Sequence, residues 1–220
     1  MINHKFHLFS NKKKNEDPLT KPSICSIIGP TGSGKSTYLL NYLMALQDKV
    51  DFKHALFVSA NKKDVILEHI ADMKITADPD DINDFVDKIS MMTREENHEQ
   101  PSIIVFDDVQ DSPLINIKNN KKLNSFILSH RHHNCWIAFA LQSYKNSLNS
   151  TLRKMNSMIF MFPPRNKQEE DIMIKEQNVD GNKLKHAFEI ARSEEHVPVY
   201  INTQSKKAKL FLGFDRELDL

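Results

Sequence analysis

Cysteine is nearly absent: the 220 residues hold two, Cys25 and Cys135. Two thiols cannot build a disulfide framework. Both stand in apolar runs, so they are expected as buried, reduced thiols of a protein in a cytosol-like compartment. Long apolar runs are missing as well. The longest, Cys135–Leu141, has seven residues, against the roughly 20 that a membrane-spanning helix needs, so no membrane partner is expected. Met1–Ser10 carries His4, Lys5 and His7 and no apolar stretch, so no secretory signal is expected. No charge sign dominates: 30 Lys and Arg against 29 Asp and Glu leave a net charge of +1. No global field therefore announces a polyanionic partner. Arginine is scarce, with six residues (Arg94, Arg131, Arg153, Arg165, Arg192 and Arg216) among 30 basic ones. Abundant Lys, Asn and Ile are what an AT-rich genome produces, so a single arginine here carries more information than a lysine.

What remains is ordinary globular composition, 40% hydrophobic and 27% charged, in a chain long enough for one large α/β domain. Residues 1–22, with the run Lys12-Lys13-Lys14-Asn15-Glu16-Asp17-Pro18, lack periodicity and are expected as a flexible N-terminal arm. Residues 23–220 are expected as a single domain, of which 163–220 is the less diagnostic part. Strands are expected over Ile24–Ile28, Ala55–Val58, Ile103–Phe106, Cys135–Leu141 and Met158–Phe162. Helical patterns run over Lys35–Gln47, Lys63–Asp72, Asp80–Glu96, Lys121–His130, Leu148–Lys154, Gln168–Glu176 and Gly181–Ala191. Continuous apolar strands alternating with helices predict an α/β fold with a mostly parallel central sheet flanked by helices. Two closing runs, Val197–Ile201 and Ala208–Phe214, joined by Asn202-Thr203-Gln204-Ser205, read as an antiparallel hairpin at one sheet edge.

Gly29-Pro30-Thr31-Gly32-Ser33-Gly34-Lys35-Ser36, followed by Thr37, matches the phosphate-loop pattern G-x-x-x-x-G-K-[ST] at every fixed position. An apolar strand enters it and an amphipathic helix leaves it, which is the context this Walker A motif requires. The glycines let backbone amides turn toward a β-phosphate at the positive end of a helix. Lys35 would reach the β- and γ-phosphates of ATP, and the Ser36 hydroxyl would ligate Mg²⁺. The bland alternative is a glycine-rich strand–helix turn. A second element fits the first. Ile103-Ile104-Val105-Phe106-Asp107-Asp108 has the form of a Walker B strand, with Asp107 for the Mg²⁺ shell and Asp108 as general base for the attacking water. A third apolar strand ends in Gln142, where a γ-phosphate or water sensor would sit. Arg131 precedes that strand and Arg153 follows it. Each is either an arginine finger, stabilising transition-state charge across a subunit interface, or an ordinary surface ion pair.

These residues carry a resemblance. Gly29–Thr37, Phe106-Asp107-Asp108, Ser129-His130-Arg131-His132 before a strand ending in Leu141-Gln142, and Leu152-Arg153-Lys154-Met155-Asn156 resemble the FtsK–HerA superfamily. Within it the chain is most similar to the poxvirus-type genome-packaging ATPases of large DNA viruses, over roughly Ser23–Phe162. The resemblance implies a RecA-like core that assembles as a homo-oligomeric ring, pentameric or hexameric. Such a ring would drive double-stranded DNA into a preformed capsid by ATP hydrolysis, beside a capsid or portal component, in the host-cell cytoplasm and the virion. It gives Lys35, Ser36, Asp107, Asp108 and Gln142 the nucleotide roles stated above. Arg131 becomes the residue reaching a neighbour's γ-phosphate, with Arg153 as second candidate; His130 stands where a small residue often precedes the Arg-His pair.

Other signals are weaker. His130, His132, His133 and Cys135 do not follow any structural zinc spacing, and no second cluster closes a tetrahedron. Lys118, Lys121 and Lys122 lie where a loop could face a ring's channel and touch DNA phosphates, or where a helix simply starts in solvent. Two rival functions remain: a nucleoside or nucleotide kinase, which needs an Arg-rich lid, and a nucleotide-dependent switch without a motor.

Overall fold

The computed structural model describes residues 19–59, 74–94, 100–109, 120–177, 179–203, 208–214 and 216–218. The strands are β1 (Ile24–Ile28), β2 (His54–Ser59), β3 (Lys74–Thr76), β4 (Ser102–Asp107), β5 (Cys135–Leu141), β6 (Met158–Met161), β7 (Val199–Asn202), β8 (Lys209–Leu212) and β9 (Arg216–Glu217). The helices are α1 (Lys35–Gln47), α2 (Pro79–Arg94), α3 (Lys121–Leu128), α4 (Tyr144–Ser147), α5 (Ser150–Met155), α6 (Lys167–Glu176) and α7 (Gly181–Ser193). The strands form one sheet in the order β3-β2-β4-β5-β1-β6-β7-β8-β9. β1 to β6 are parallel, and β7, β8 and β9 are antiparallel. This is a mostly parallel α/β architecture, with helices packed on both faces of the sheet.

Period-two alternation along buried strands divides the core between the two sheet faces. From β5, Ile137, Phe139 and Leu141 pack with Ile104, Phe106 and the apolar stripes of α2, α3 and α7. Trp136, Ala138 and Ala140 face the other way, with Ile27, Ile103, Val105 and the Leu39, Tyr42, Leu43 and Leu46 stripe of α1. Polar side chains cap the helices on schedule: Asn120 for α3, Asn149 for α5, Asn166 for α6 and Asp180 for α7 each accept a bond from a first-turn amide. No helix among the described residues is long and apolar enough to cross a membrane.

Three expectations change. The arm does not extend to residue 22: Leu19 is 1% exposed, and the Trp136 indole donates to its carbonyl at 3.2 Å. The terminal hairpin is not the sheet edge, because β9 adds one more strand outside β8. The Lys121–His130 helix stops at Leu128, and His130–His133 winds as a 3-10 turn ended by Asn134 at φ +44°. β3, α4 and β9 are too short for periodicity to announce. The helical pattern Lys63–Asp72 lies outside the described residues.

Candidate functional site

Because β1, β4 and β5 are parallel and β5 pairs with both others, their carboxyl ends share one sheet edge. Open parallel sheets hold ligands in the crevice at that edge. The segments after these strands are thereby gathered: loop 29–34 after β1, Asp108 after β4 and Gln142 after β5. Backbone bonds lock them. The Gly29 amide donates to the Leu141 carbonyl at 3.0 Å, and the Asp108 amide to that of Ala140 at 3.2 Å.

Within the loop, Gly32 and Gly34 adopt φ of +79° and +98°, values that cost an L side chain about 1–2 kcal/mol. Gly34 is the N-cap of α1, so the first amides of that helix open onto the loop. Gly29 is required for a different reason: a Cβ there would stand 2.7 Å from Phe162 Cβ and 2.8 Å from Ser33 Oγ. Gly29→Ala is therefore expected to push the loop off Phe162 at the about 1–3 kcal/mol typical of overpacking. Thermal melting and titration with an ATP analogue check this; both Tm and affinity should fall.

Lys35 is 9% exposed, and its ammonium donates to the Pro30 carbonyl at 3.1 Å. Burial pushes its pKa below the usual lysine range, while the nearby Asp108 and Asp107 carboxylates push it back up. Asp107 is 4% exposed at the end of β4. Asp108, just beyond, is exposed and left-handed at φ +52°, a conformation that Asp tolerates better than most residues. It accepts a bond from Gln142 Nε2 at 2.6 Å. The expected base and the expected sensor are thus one hydrogen-bonded pair. The Ser36 hydroxyl is exposed at the start of α1. Ser36 and Asp107 supply the hard oxygen donors that suit Mg²⁺. Among the described residues no group of three or more His, Cys, Asp or Glu is set to hold an ion alone. A Mg²⁺ held by one or two protein oxygens and substrate phosphates needs no such group.

The two arginines differ. Arg131 lies in the 3-10 turn before β5, at the sheet edge opposite the loop. Seven residues of β5 separate the edges, about 23 Å at ~3.3 Å per residue. Arg131 therefore cannot serve the loop of its own chain. It is exposed, and its guanidinium has no ion pair among the described residues. Arg153 requires a correction. Its Nε and Nη2 each donate to Glu176 at 2.7 Å, and its Nη1 donates to the Leu148 and Lys145 carbonyls at 2.7 and 3.2 Å. The bond to Glu176 raises the arginine pKa and lowers that of Glu176. A guanidinium so engaged fastens α5 to α6 and is not a free finger. Three residues on, buried Asn156 accepts from Ser26 Oγ at 2.6 Å, tying α5 to β1.

His130 is 1% exposed, with Nδ1 2.8 Å from the Ile127 carbonyl, and burial lowers its pKa. The His133 ring stacks on Phe126 with centroids 4.7 Å apart. Burial raises the Cys135 thiol pKa. Lys121 and Lys122 are exposed on the first turn of α3, and Lys122 pairs with Asp87 at 2.6 Å. Lys118 lies outside the described residues.

Sequence reasoning missed what the last third of the chain does at the loop. Phe162 lies beneath Gly29. Phe214 stacks on Tyr38 of α1, centroids 4.8 Å apart. Arg165 Nη2 donates to the Thr31 carbonyl at 3.3 Å, and His196 Nδ1 is 3.1 Å from that of Ser33. The scarcity of arginine was a signal for Arg165; His196 had none.

A model of the family described as Poxvirus A32 protein matches residues 10–209. No curated protein sequence matches the chain. Among solved structures, B204, the DNA-packaging ATPase of Sulfolobus turreted icosahedral virus, superposes with TM-score 0.62 at 13% identity, covering 87% of this chain and 97% of that one. The B204 genome-packaging NTPase of Sulfolobus turreted icosahedral virus 2 in complex with ATP-gammaS gives 0.60 at 13%, covering 86% and 96%. The pCW3 conjugation coupling protein TcpA gives 0.57 at 12%, covering 89% of this chain and 61% of that one.

Proposed function

The chain belongs to the poxvirus A32 family of packaging ATPases, and from that membership we propose that it is a translocase driving double-stranded DNA into viral capsids. Its working form is a homo-oligomeric ring, pentameric or hexameric, meeting a capsid or portal component at the assembly site in the host-cell cytoplasm. One observation supports the reading most. The loop, the Asp107-Asp108 pair and Gln142 share one crevice, while Arg131 stands exposed at the opposite edge. Such a chain holds one half of a hydrolytic site at each end, and a neighbouring copy completes it.

In this reading the loop amides and Lys35 hold the β- and γ-phosphates of ATP. Ser36 and Asp107 would hold Mg²⁺, which spreads the charge of the transferring phosphoryl group. Asp108 accepts the proton of the attacking water as its oxygen bonds to the γ-phosphorus and the bond to ADP breaks. Gln142 orients Asp108 and senses the γ-phosphate. The kinase alternative needs arginines gathered over the loop. Those after Gln142 are instead paired elsewhere, Arg153 with Glu176, Arg192 with Glu170 and Arg216 with Glu194, leaving Arg165.

The test is ATP turnover with and without duplex DNA, beside solution mass. DNA-stimulated turnover by an ATP-dependent oligomer is expected; full turnover by a monomer overturns the ring. Affinity for DNA should fall steeply with salt, because phosphate contacts release counterions. Replacing Lys118, Lys121 and Lys122 by Ala should weaken binding to all sequences alike and lower the salt slope by up to about one unit per lost contact. The exposed Lys122–Asp87 pair is too weak to withhold that lysine. Unchanged binding and slope would return the three lysines to solvent.

A further inference from the structure

Three carbonyls of the phosphate loop each meet a basic side chain: Pro30 with Lys35 at 3.1 Å, Thr31 with Arg165 at 3.3 Å, and Ser33 with His196 at 3.1 Å. Lys35 belongs to the loop motif. Arg165 and His196 lie 134 and 163 residues from the carbonyls they meet, in the turns after β6 and before β7. We infer that Arg165 and His196 are positioning residues for nucleotide binding, bracing the loop from outside so that its amides face the phosphates.

The geometry of His196 carries most of the argument. Its backbone is left-handed at φ +58°, a conformation uncommon for a residue with a Cβ, though one that His adopts more readily than most. Its ring atoms Nδ1 and Cγ lie 3.6 and 3.8 Å from where a Gly34 Cβ would stand, over the residue that caps α1. With Nδ1 as the protonated nitrogen, His196 donates to the Ser33 carbonyl. A carbonyl held by an outside donor fixes the plane of the peptide whose amide, at Gly34, faces the other way. Arg165 does the same for Thr31 and the Gly32 amide. These amides belong to the loop's two left-handed glycines, the positions freest to turn away. Bracing lowers the conformational cost of gathering amides around phosphate, so it strengthens binding rather than the chemical step.

The experiment is nucleotide binding by the full chain without DNA, which reads the brace whether or not the protein translocates anything. ADP and a non-hydrolysable ATP analogue are titrated, and steady-state KM and kcat are measured. His196→Gly removes the donor and relieves the left-handed backbone, so a loss cannot be assigned to strain. His196→Asn keeps an amide donor near the place of Nδ1 in a residue that tolerates this φ. Combined His196→Gly and Arg165→Ala should weaken ADP and the ATP analogue equally, by about tenfold for two solvent-facing hydrogen bonds. KM should rise by the same factor with kcat unchanged, and His196→Asn should recover most of the loss. The side chains are exposed, so the variants should melt near the wild-type Tm. Unchanged affinity in the double variant overturns the inference. So does a loss confined to kcat, or to the ATP analogue over ADP, either of which would make these residues catalytic groups at the γ-phosphate.

Discussion

Mixing Arg131→Ala subunits with Asp108→Asn subunits is expected to restore ATP hydrolysis that neither variant carries alone. Arg131 sits at the amino end of β5 and Asp108 at the carboxyl end of β4, on opposite edges of one parallel sheet. No side-chain movement brings this arginine to the loop of its own chain, so any catalytic role it has is exercised on a neighbour. Arg131→Ala should bind ATP normally and lose turnover by ~10³–10⁵, the range of arginine fingers. A surface arginine in an ordinary ion pair would cost at most ~1 kcal/mol. In a mixed ring, some interfaces join an intact acid to an intact arginine, and activity should return in proportion to their number. Co-assembly without recovered activity would show that Arg131 does not act in trans. Arg153 is then a poor substitute, since Glu176 and two carbonyls already hold its guanidinium.

The second large effect separates binding from hydrolysis. Lys35→Ala should abolish tight ATP binding, because the phosphates lose the loop's own cation. The loss should exceed that of a surface lysine, since Lys35 is nearly buried and lies in the field of Asp107 and Asp108. Asp108→Asn should keep binding and lose turnover by ~10²–10⁴, the range for a positioned general base. Equilibrium titration and single-turnover hydrolysis read the two steps apart. Hydrolysis by Asp108→Asn at the wild-type rate would place the base elsewhere. Gln142 offers a further reading: it donates to Asp108, so Gln142→Ala should slow turnover more than it weakens binding.

The elements legible in advance were those whose information is local. The bounds of β1, α1 and β5 agree with the periodicity to the residue. Each is a continuous apolar run or a long amphipathic one, bounded by polar or glycine residues that end it. α3 ran two residues past its structural end, because Ser129 and His130 extend the helical pattern while their backbone turns to 3-10 geometry. Arg153 misled for a related reason. Position beside a strand says nothing of whether a carboxylate such as Glu176, 23 residues on, already holds the guanidinium.

Pattern by itself determined that this chain is an α/β domain with a phosphate loop and an acid-ended strand. Glycines that admit left-handed backbone and acids that follow a buried strand are properties of a few consecutive residues. Only the tertiary structure decided that β5 lies between β1 and β4, which makes Gln142 and Asp108 partners and sends Arg131 to the far edge. It alone brought Arg165 and His196 to the loop from 134 and 163 residues away. Strand order and such long-range bonds depend on how two faces of a sheet share their burial among all the helices at once, and no short stretch of sequence encodes that sharing.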